Sequence, residues 1–188
     1  GLTQALGLME MIAPSVTAKD LGDRIIKVNH AGENGAICIY SGQIFMARLT
    51  APDLVNELTE FRSHEQGHRA IFGAELHRRG RPRCRSYLLC GLGGFALGLI
   101  TGLFGRSSIA ATTVAVETVV LRHLESQLVA LRSNDPAAVT AISAIVAEEQ
   151  QHRDQSATHI QTGKFWPKVI TPIVSASTEA VIWLGMRL

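Results

Sequence analysis

The sequence predicts an all-α protein, a four-helix bundle with two additional apolar helices. Two observations predict this class. First, no segment of the 188 residues alternates apolar and polar side chains as a strand would, and the proline and glycine breaks fall at helical lengths. Second, a short polar pattern recurs at an interval suited to antiparallel helices. The length indicates one domain, residues 1–188, in which residues 1–19 form an N-terminal extension.

Six helices are expected, and most have a start or stop signal. Thr17 or Asp20 begins the first helix. Pro52 lies in the first turn of the second, which ends before Gly80, the favoured placement of these two residue types. Ser107 caps the fourth. The expected spans are about 20–49, 52–79, 86–104, 108–132, 136–161 and 167–186.

The recurring pattern is a glutamate followed 32 residues later by a Glu-x-x-His pair. It occurs at Glu33, Glu65 and His68, and again at Glu117, Glu149 and His152. A Glu and a His three residues apart lie on one helix face, and the interval brings the lone glutamate level with them in an antiparallel helix pair. Four carboxylates and two imidazoles are the ligands of ferritin-like di-iron and di-manganese bundles. The sequence therefore predicts a ferritin-like bundle with an internal two-fold repeat of a metal half-site.

The surroundings of the two lone glutamates support this interpretation. Glu117 interrupts an apolar helical stretch, where an unpaired carboxylate is costly and a metal ion would neutralise it; a glutamate on the solvent edge of the helix is the alternative. Gly32 and Gly35 flank Glu33, and each costs a helix about 1 kcal/mol relative to alanine. They suggest that a neighbouring helix or a substrate approaches the backbone, unless this segment is a loop or a frayed helix start.

Residues 64–68, His-Glu-Gln-Gly-His, also fit H-E-x-x-H, the zinc metalloprotease signature in which both histidines bind zinc. The second copy of the pattern argues against that interpretation, because Glu148 and not a histidine precedes Glu149. What repeats is Glu-x-x-His, so His64 is expected to be incidental. A zinc metalloprotease is kept as an alternative function.

The composition of the chain limits which kinds of partner and compartment are expected. Hydrophobic residues make up 46% of the chain, and a net charge of +2 is too small to indicate nucleic-acid binding. The three cysteines, Cys38, Cys84 and Cys90, are odd in number and form no C-x-x-C pair, which favours a reducing compartment without a disulfide framework.

The expected third helix has the features of a membrane-surface segment. Residues 87–105 carry no charge and six glycines, of which Gly94, Gly98 and Gly102 are spaced for close helix contact. Five arginines lie just before it, between residues 78 and 85. A basic cluster beside an apolar segment is typical of attachment to an anionic membrane surface. The alternatives are a tightly packed core helix preceded by a solvated loop, or a short membrane span.

Four segments resemble the demethoxyubiquinone hydroxylase family: residues 24–36 (RIIKVNHAGENGA), 94–98 (GFALG), 113–117 (TVAVE) and 148–152 (EEQQH). The likeness covers about residues 20–188. It implies a ferritin-like, O2-dependent di-iron monooxygenase of ubiquinone biosynthesis, which hydroxylates a polyprenyl methoxy-benzoquinol. It also implies a peripheral membrane protein, on the cytoplasmic face of a bacterial inner membrane or, as an alternative, on the matrix face of the mitochondrial inner membrane.

The resemblance further implies a cofactor, site residues and partners. Two iron ions would be held by Glu33, Glu65, His68, Glu117, Glu149 and His152, with Glu65 and Glu149 bridging them. NADH would be an electron donor, and a lipid-binding accessory protein and other ubiquinone-biosynthesis enzymes would be partners. His30 and His123 are candidates to support the ligands from outside. The chain departs from many members at Asn34 and Leu124, where tyrosine is common.

A second class of function is open to the same ligand set. A ferritin-like chain could store or detoxify iron without oxidising an organic substrate. Storage predicts a soluble, shell-forming oligomer with a polar surface, and the apolar segment 87–105 argues against it.

Overall fold

The computed structural model describes residues 17–160 and 165–188, and within them the only regular secondary structure is helical. A 3-10 turn, Pro52–Leu54, joins the first two helices. The helices are α1 (Ala18–Thr50), α2 (Val55–Arg78), α3 (Tyr87–Leu103), α4 (Arg106–Leu131), α5 (Pro136–Ser143), α6 (Val146–Ala157) and α7 (Phe165–Gly185). The predicted all-α class is confirmed. Residues 1–16 of the expected N-terminal extension lie outside the described residues.

The helix starts follow from local chemistry. The Thr17 side chain accepts from the backbone N–H of Asp20, and the Asp20 carboxylate accepts from the backbone N–H of Thr17, which confirms the expected cap. Ser107 is not a cap: α4 begins one residue earlier, at Arg106, because Gly105 reverses the chain with a φ of +87° that favours glycine.

The expected helix 136–161 is wrong as a single element. It is broken into α5 and α6 at Ala144 and Ile145, where the backbone N–H of Ile145 bonds to the carbonyl of Ile142, three residues back. No proline or glycine marks this tightened turn, so it could not be predicted from the sequence. The last residue of the expected span, 161, is among those not described.

The bundle places a polar layer between two apolar clusters. Along α1 and α2 the ligand-type residues lie between the two clusters in sequence. One cluster includes Ile25, Ile26, Phe72, Leu131 and Ile142, and the other includes Tyr40, Ile44, Leu58, Phe61 and Ile109. Outside the central helices, α3 lies along α1 and α7 lies along α4. The single domain and the internal two-fold repeat stay predictions.

The glycines of α3 allow it to touch the backbone of α1. A Cβ added at Gly94 or Gly98 would overlap the carbonyl oxygen of Gly35 or Ile39, and one at Gly42 would lie 2.6 Å from the carbonyl oxygen of Phe95. One face of α3 is therefore tightly packed. Its other face is exposed, with Leu88 and Leu92 among the exposed side chains. No described helix is long and apolar enough to cross a membrane.

A matched pair of substitutions tests this contact. Gly98→Ala is expected to destabilise the protein by about 1–3 kcal/mol, because the new Cβ meets backbone that cannot move aside cheaply. Gly93→Ala is expected to be neutral or to stabilise by up to about 1 kcal/mol, because an added Cβ would meet no heavy atom of the described residues within 4 Å beyond its own stretch of helix. Urea unfolding measures both. Equal effects at the two positions would contradict the close helix contact.

The arginines before α3 are not the free basic patch that the sequence suggests. The Arg79 side chain is only 7% exposed and donates to Asp135, Asp23 and Glu75 over 2.7–3.0 Å. Arg81 donates to Asp23 at 2.6 Å. These carboxylates come from three separate segments, so their pairing could not be inferred from sequence. Within the described residues, only Arg83 and Arg85 of the five arginines make no ion pair with a carboxylate.

Candidate metal centre

The six residues of the repeated pattern meet in the polar layer. Each is buried, with at most 6% of its surface exposed. Glu33 comes from α1, Glu65 and His68 from α2, Glu117 from α4, and Glu149 and His152 from α6. The structure thus brings together every residue that the sequence nominated as a metal ligand.

The six form two overlapping groups. In each group, one potential ligand atom per residue lies within 4.8 Å of the others. The groups are Glu33, Glu65, His68 and Glu149, and Glu65, Glu117, Glu149 and His152. Glu65 and Glu149 belong to both. This arrangement suits two neighbouring cations that share two carboxylates and have one further carboxylate and one imidazole each.

The distances are consistent with that sharing. His68 Nδ1 lies 3.3 Å from Glu65 Oε2 and 3.1 Å from Glu149 Oε1. His152 Nδ1 lies 3.1 Å from Glu65 Oε1 and 3.5 Å from Glu149 Oε2. Each shared carboxylate therefore faces one histidine with each of its oxygens.

Several atoms of the site have no hydrogen-bond partner among the described residues. They are both carboxylate oxygens of Glu65, Oε2 of Glu149 and Nδ1 of His152. Buried polar atoms are normally paired, and burying unpaired carboxylates is costly. Because these atoms belong to residues of the two groups, bound cations would satisfy them together. The residues present fit a metal centre.

Several groups of the site have raised pKa values. Burial, reinforced by repulsion from Glu65, raises the pKa of Glu33 well above its ordinary value, and burial with repulsion from Glu149 does the same for Glu117. Burial alone would lower the pKa of His152, but the nearby carboxylates of Glu149 and Glu65 raise it to about 9. At neutral pH the site therefore retains protons that a cation must displace.

Metal binding is consequently expected to release protons and to tighten as pH rises toward about 9, the pKa of His152 in the metal-free site. Rising pH favours binding because the raised pKa values belong to the metal-free form, while the bound form needs neutral imidazoles and ionised carboxylates. Anaerobic calorimetric titration with Fe²⁺ or Mn²⁺ at neutral pH, in two buffers of different ionisation enthalpy, measures the release. A heat that is independent of the buffer would contradict it.

A cavity of about 370 Å³ leads to this site between α1, α3, α4 and α7. Its wall is mainly apolar and includes Leu97, Val120 and Ile182, and it reaches Glu33 and Glu117. Among the described residues, no heavy atom lies within 4 Å of a Cβ added at Gly32, which faces this space. The expected approach of a neighbouring helix is confirmed at Gly35, which contacts α3, whereas the approach of a substrate at Gly32 stays a prediction.

Comparison with known proteins gives the family. The family model for ubiquinone biosynthesis protein COQ7 matches residues 20–185. The chain belongs to this family. The resemblance inferred from the four sequence segments is confirmed.

Three relatives illustrate the range of this COQ7 family. A protein of Dictyostelium discoideum named NADPH-dependent 3-demethoxyubiquinone 3-hydroxylase, mitochondrial, is 32% identical, covering 88% of this chain and 76% of its own. A protein of Saccharomyces cerevisiae named 5-demethoxyubiquinone hydroxylase, mitochondrial, is 34% identical, covering 88% and 78%. A protein of Rhodospirillum rubrum named 3-demethoxyubiquinol 3-hydroxylase is 30% identical, covering 88% and 77%.

Two residues beside the six candidate ligands of this COQ7-family chain were not identified correctly from sequence. Nδ1 of His64 lies 2.9 Å from Nε2 of His152, so His64 is not incidental, although it belongs to neither group. Glu148 Oε2 lies 2.6 Å from Nε2 of His68. In both pairs the partner contacts Nε2, the ring nitrogen that does not face Glu65 and Glu149, and so orients the imidazole. These contacts join α2 to α6, which spacing within one helix does not reveal.

Glu148→Ala is expected to weaken metal binding by about 10- to 100-fold, because His68 loses the carboxylate that orients its ring. Gln150→Ala, an exposed change on the same helix, is the matched control and should leave affinity unchanged. Competition with a chelator of known affinity measures both. Wild-type affinity in Glu148→Ala would contradict the positioning role.

A third residue, Tyr40, was missed as well. Its buried hydroxyl donates to Glu117 at 3.5 Å, and burial, with repulsion from Glu117, raises its pKa well above the ordinary value. The tyrosine therefore stays protonated and available as a donor to this carboxylate. In the sequence Tyr40 lies among mainly apolar residues of the first expected helix, and nothing there indicates a contact with Glu117.

The two histidines nominated to support the ligands, His30 and His123, make no hydrogen bond to the six among the described residues. His123 lines the cavity, and its Nε2 lies 2.7 Å from Glu179. His30 stacks on Tyr87 at 5.0 Å between ring centroids. Burial lowers the pKa of both histidines. Asn34 donates to the Tyr87 carbonyl and accepts from Arg69, so this departure from the family pattern serves the contact with α3.

Proposed function

We propose that the protein is an O2-dependent di-iron monooxygenase that hydroxylates demethoxyubiquinol, a polyprenyl methoxy-benzoquinol, in ubiquinone biosynthesis. One observation carries this proposal: two overlapping carboxylate and histidine groups lie at the end of an apolar cavity in a chain of this family. The printed names of the relatives support the substrate and the reaction.

Glu33, Glu65, His68, Glu117, Glu149 and His152 would hold the two iron ions, with Glu65 and Glu149 shared between them. Four carboxylates offset the charge of two divalent cations, and an oxygen-rich set without thiolate suits iron or manganese. When bound and reduced, an iron pair supplies O2 activation. The protein keeps bulk water away through burial of the six side chains and orients both imidazoles through His64 and Glu148.

The reaction balances as a mixed-function oxidation. One oxygen atom of O2 enters a ring C–H bond to give C–OH, and the other leaves as water, which consumes two electrons and two protons. We propose a reduced nicotinamide as the electron source. NADH was expected from the resemblance, whereas relatives carry NADPH in their names, so both donors belong in the assay.

A membrane surface is the proposed source of the water-insoluble substrate. Two helices flank the cavity, α3 and α7, and both expose apolar side chains, including Leu88, Leu92, Ile173 and Trp183. Docking this face on a bilayer would let a polyprenyl quinol move into the cavity without crossing water. The protein would then be peripheral, on the cytoplasmic face of a bacterial inner membrane or, as the mitochondrial names of eukaryotic relatives suggest, on the matrix face.

A lipid-binding accessory protein and other ubiquinone-biosynthesis enzymes are proposed partners on the same grounds of resemblance. The alternative functions gain no support from the comparisons, which connect the chain with hydroxylases. A zinc metalloprotease would need His64 on the metal. That residue instead contacts His152 and lies outside both four-residue groups.

The activity test uses iron-loaded protein in anionic vesicles that contain a demethoxyubiquinol. With O2 and NADH or NADPH, the expected product carries one added hydroxyl, and its oxygen atom derives from ¹⁸O2. Protein loaded with zinc instead is the control. Iron uptake and oxidation without any hydroxylated quinol, at every donor and tail length tried, would favour iron storage and contradict the proposal.

A further inference from the structure

A reciprocal amide pair lies in the wall of the cavity. The side-chain NH2 of Asn29 on α1 donates to the Gln127 carbonyl oxygen at 2.8 Å, and the NH2 of Gln127 on α4 donates back at 3.0 Å. Gln127 is only 2% exposed, and both residues line the cavity. Their neighbours in the wall include Val28, Leu124 and Ile182, so two amides stand in mainly apolar surroundings.

The pair has unused hydrogen-bonding capacity. Each amide group offers two N–H donors and an oxygen with two lone pairs, and the reciprocal pair uses one donor and one lone pair of each. Within the described residues, neither side chain makes another hydrogen bond. A second donor and a second acceptor of each amide are therefore free for a ligand. Burial makes such a ligand contact worth more than it would be in water.

The position suits the headgroup of the proposed substrate. Asn29 lies four residues before Glu33 on α1, about 6 Å along the helix axis. A six-membered ring with oxygens at opposite ends can therefore place one edge at the metal ligands and an oxygen at the amide pair. An isoprenoid tail has no group that could hydrogen-bond to an amide, so these amides recognise the ring and not the tail.

We propose that Asn29 and Gln127 form the subsite that recognises a ring oxygen of the quinol and so fixes which ring carbon faces the metals. This inference rests on the proposed function. Because an amide both donates and accepts, the pair binds a quinol hydroxyl and equally a quinone carbonyl. The headgroup stays bound in either redox state of the ring.

The test measures binding to the metal-loaded protein without O2, so that no turnover occurs. The ligands are a methoxy-methyl-benzoquinol with one prenyl unit and the two phenols that each lack one of its ring hydroxyls. The variants are Gln127→Leu, Asn29→Leu and the double exchange Asn29→Gln with Gln127→Asn, which retains two amides. Asn56→Leu, which removes an exposed amide on α2 that does not line the cavity, is the matched control.

The leucine variants are expected to bind the quinol about tenfold more weakly, the loss of one neutral hydrogen bond. They should bind one of the phenols as well as wild type does, since that phenol already lacks the recognised hydroxyl. The double exchange should bind the quinol more tightly than either leucine variant, and Asn56→Leu should bind it as tightly as wild type does. This dependence on one ring hydroxyl is something that a merely structural amide pair would not produce.

Equal weakening for the quinol and for both phenols, or no weakening at all, would overturn the subsite. If a leucine variant fails to fold, the same comparison is made on the double exchange, whose ratio of quinol to phenol affinity must then differ from that of wild type. A wild type that hydroxylates the quinol but shows no dependence on a ring hydroxyl removes only this inference. A wild type that neither binds nor hydroxylates it removes the proposed function as well.

Discussion

A Glu149→Ala variant is expected to bind no stable metal pair and to lose hydroxylation. Glu149 belongs to both groups, and its oxygens lie 3.1 Å from His68 and 3.5 Å from His152. The loss of a shared carboxylate should weaken metal binding by more than the roughly 100-fold that substituting a residue outside the ligand set can cause. Metal analysis after gel filtration, with parallel activity assays, measures it.

Two further variants make the result specific. Asp154→Ala removes a carboxylate that is 67% exposed on the same helix and should leave metal content and activity unchanged. Glu149→Gln keeps the shape while removing the charge. Its metal-free form should be less stable than the metal-free wild type, because the protonated His152 loses one of the two carboxylates that raise its pKa. Full metal occupancy in Glu149→Ala would contradict the shared role.

The next largest effect is expected on membrane binding, from substitutions on the exposed face of α3. Leu88→Ser combined with Leu92→Ser should weaken binding to anionic vesicles by at least about tenfold, because two side chains that are 67% and 72% exposed no longer insert into the bilayer. Ile71→Ser, on α2 and 36% exposed, is the matched control and should bind as wild type does. Sedimentation with vesicles measures the partition, and metal content should be unchanged in all variants.

The structure also changes the salt dependence expected for this binding. Five arginines near α3 suggested an electrostatic attachment, but Arg79 and Arg81 are paired with carboxylates of the bundle. Only a modest loss of binding is therefore expected at high salt, from Arg83 and Arg85. Wild-type protein that stays in the supernatant at every salt concentration would contradict surface attachment and leave α3 as a packing helix.

The site was more predictable than the details of the fold. Spacing along two helix pairs was enough to nominate Glu33, Glu65 and the other four residues, because helical periodicity converts sequence intervals into shared faces. The glycines of α3 likewise indicated close contact, though not its partner. Sequence alone does not show that α1 supplies the surface, since that depends on how whole helices pack.

What the sequence missed depends on contacts between distant segments. The turn at Ile145 has no proline or glycine to mark it, and the partners of Arg79 come from α1, α2 and the start of α5. His64 was expected to be incidental because it is not part of the repeated Glu-x-x-His pattern, whereas in the structure it contacts His152 across the bundle. Helical periodicity predicts which residues share a helix face, but it does not predict which faces pack against each other.

The most direct test of the proposed di-iron centre is metal analysis of purified, iron-reconstituted protein combined with Mössbauer spectroscopy. Two iron ions per chain are expected, and after oxidation they should give the spectrum of a spin-coupled pair, since Glu65 and Glu149 are shared between the two groups. A single tightly bound zinc ion per chain, or iron that gives only the spectrum of isolated ions, would contradict it.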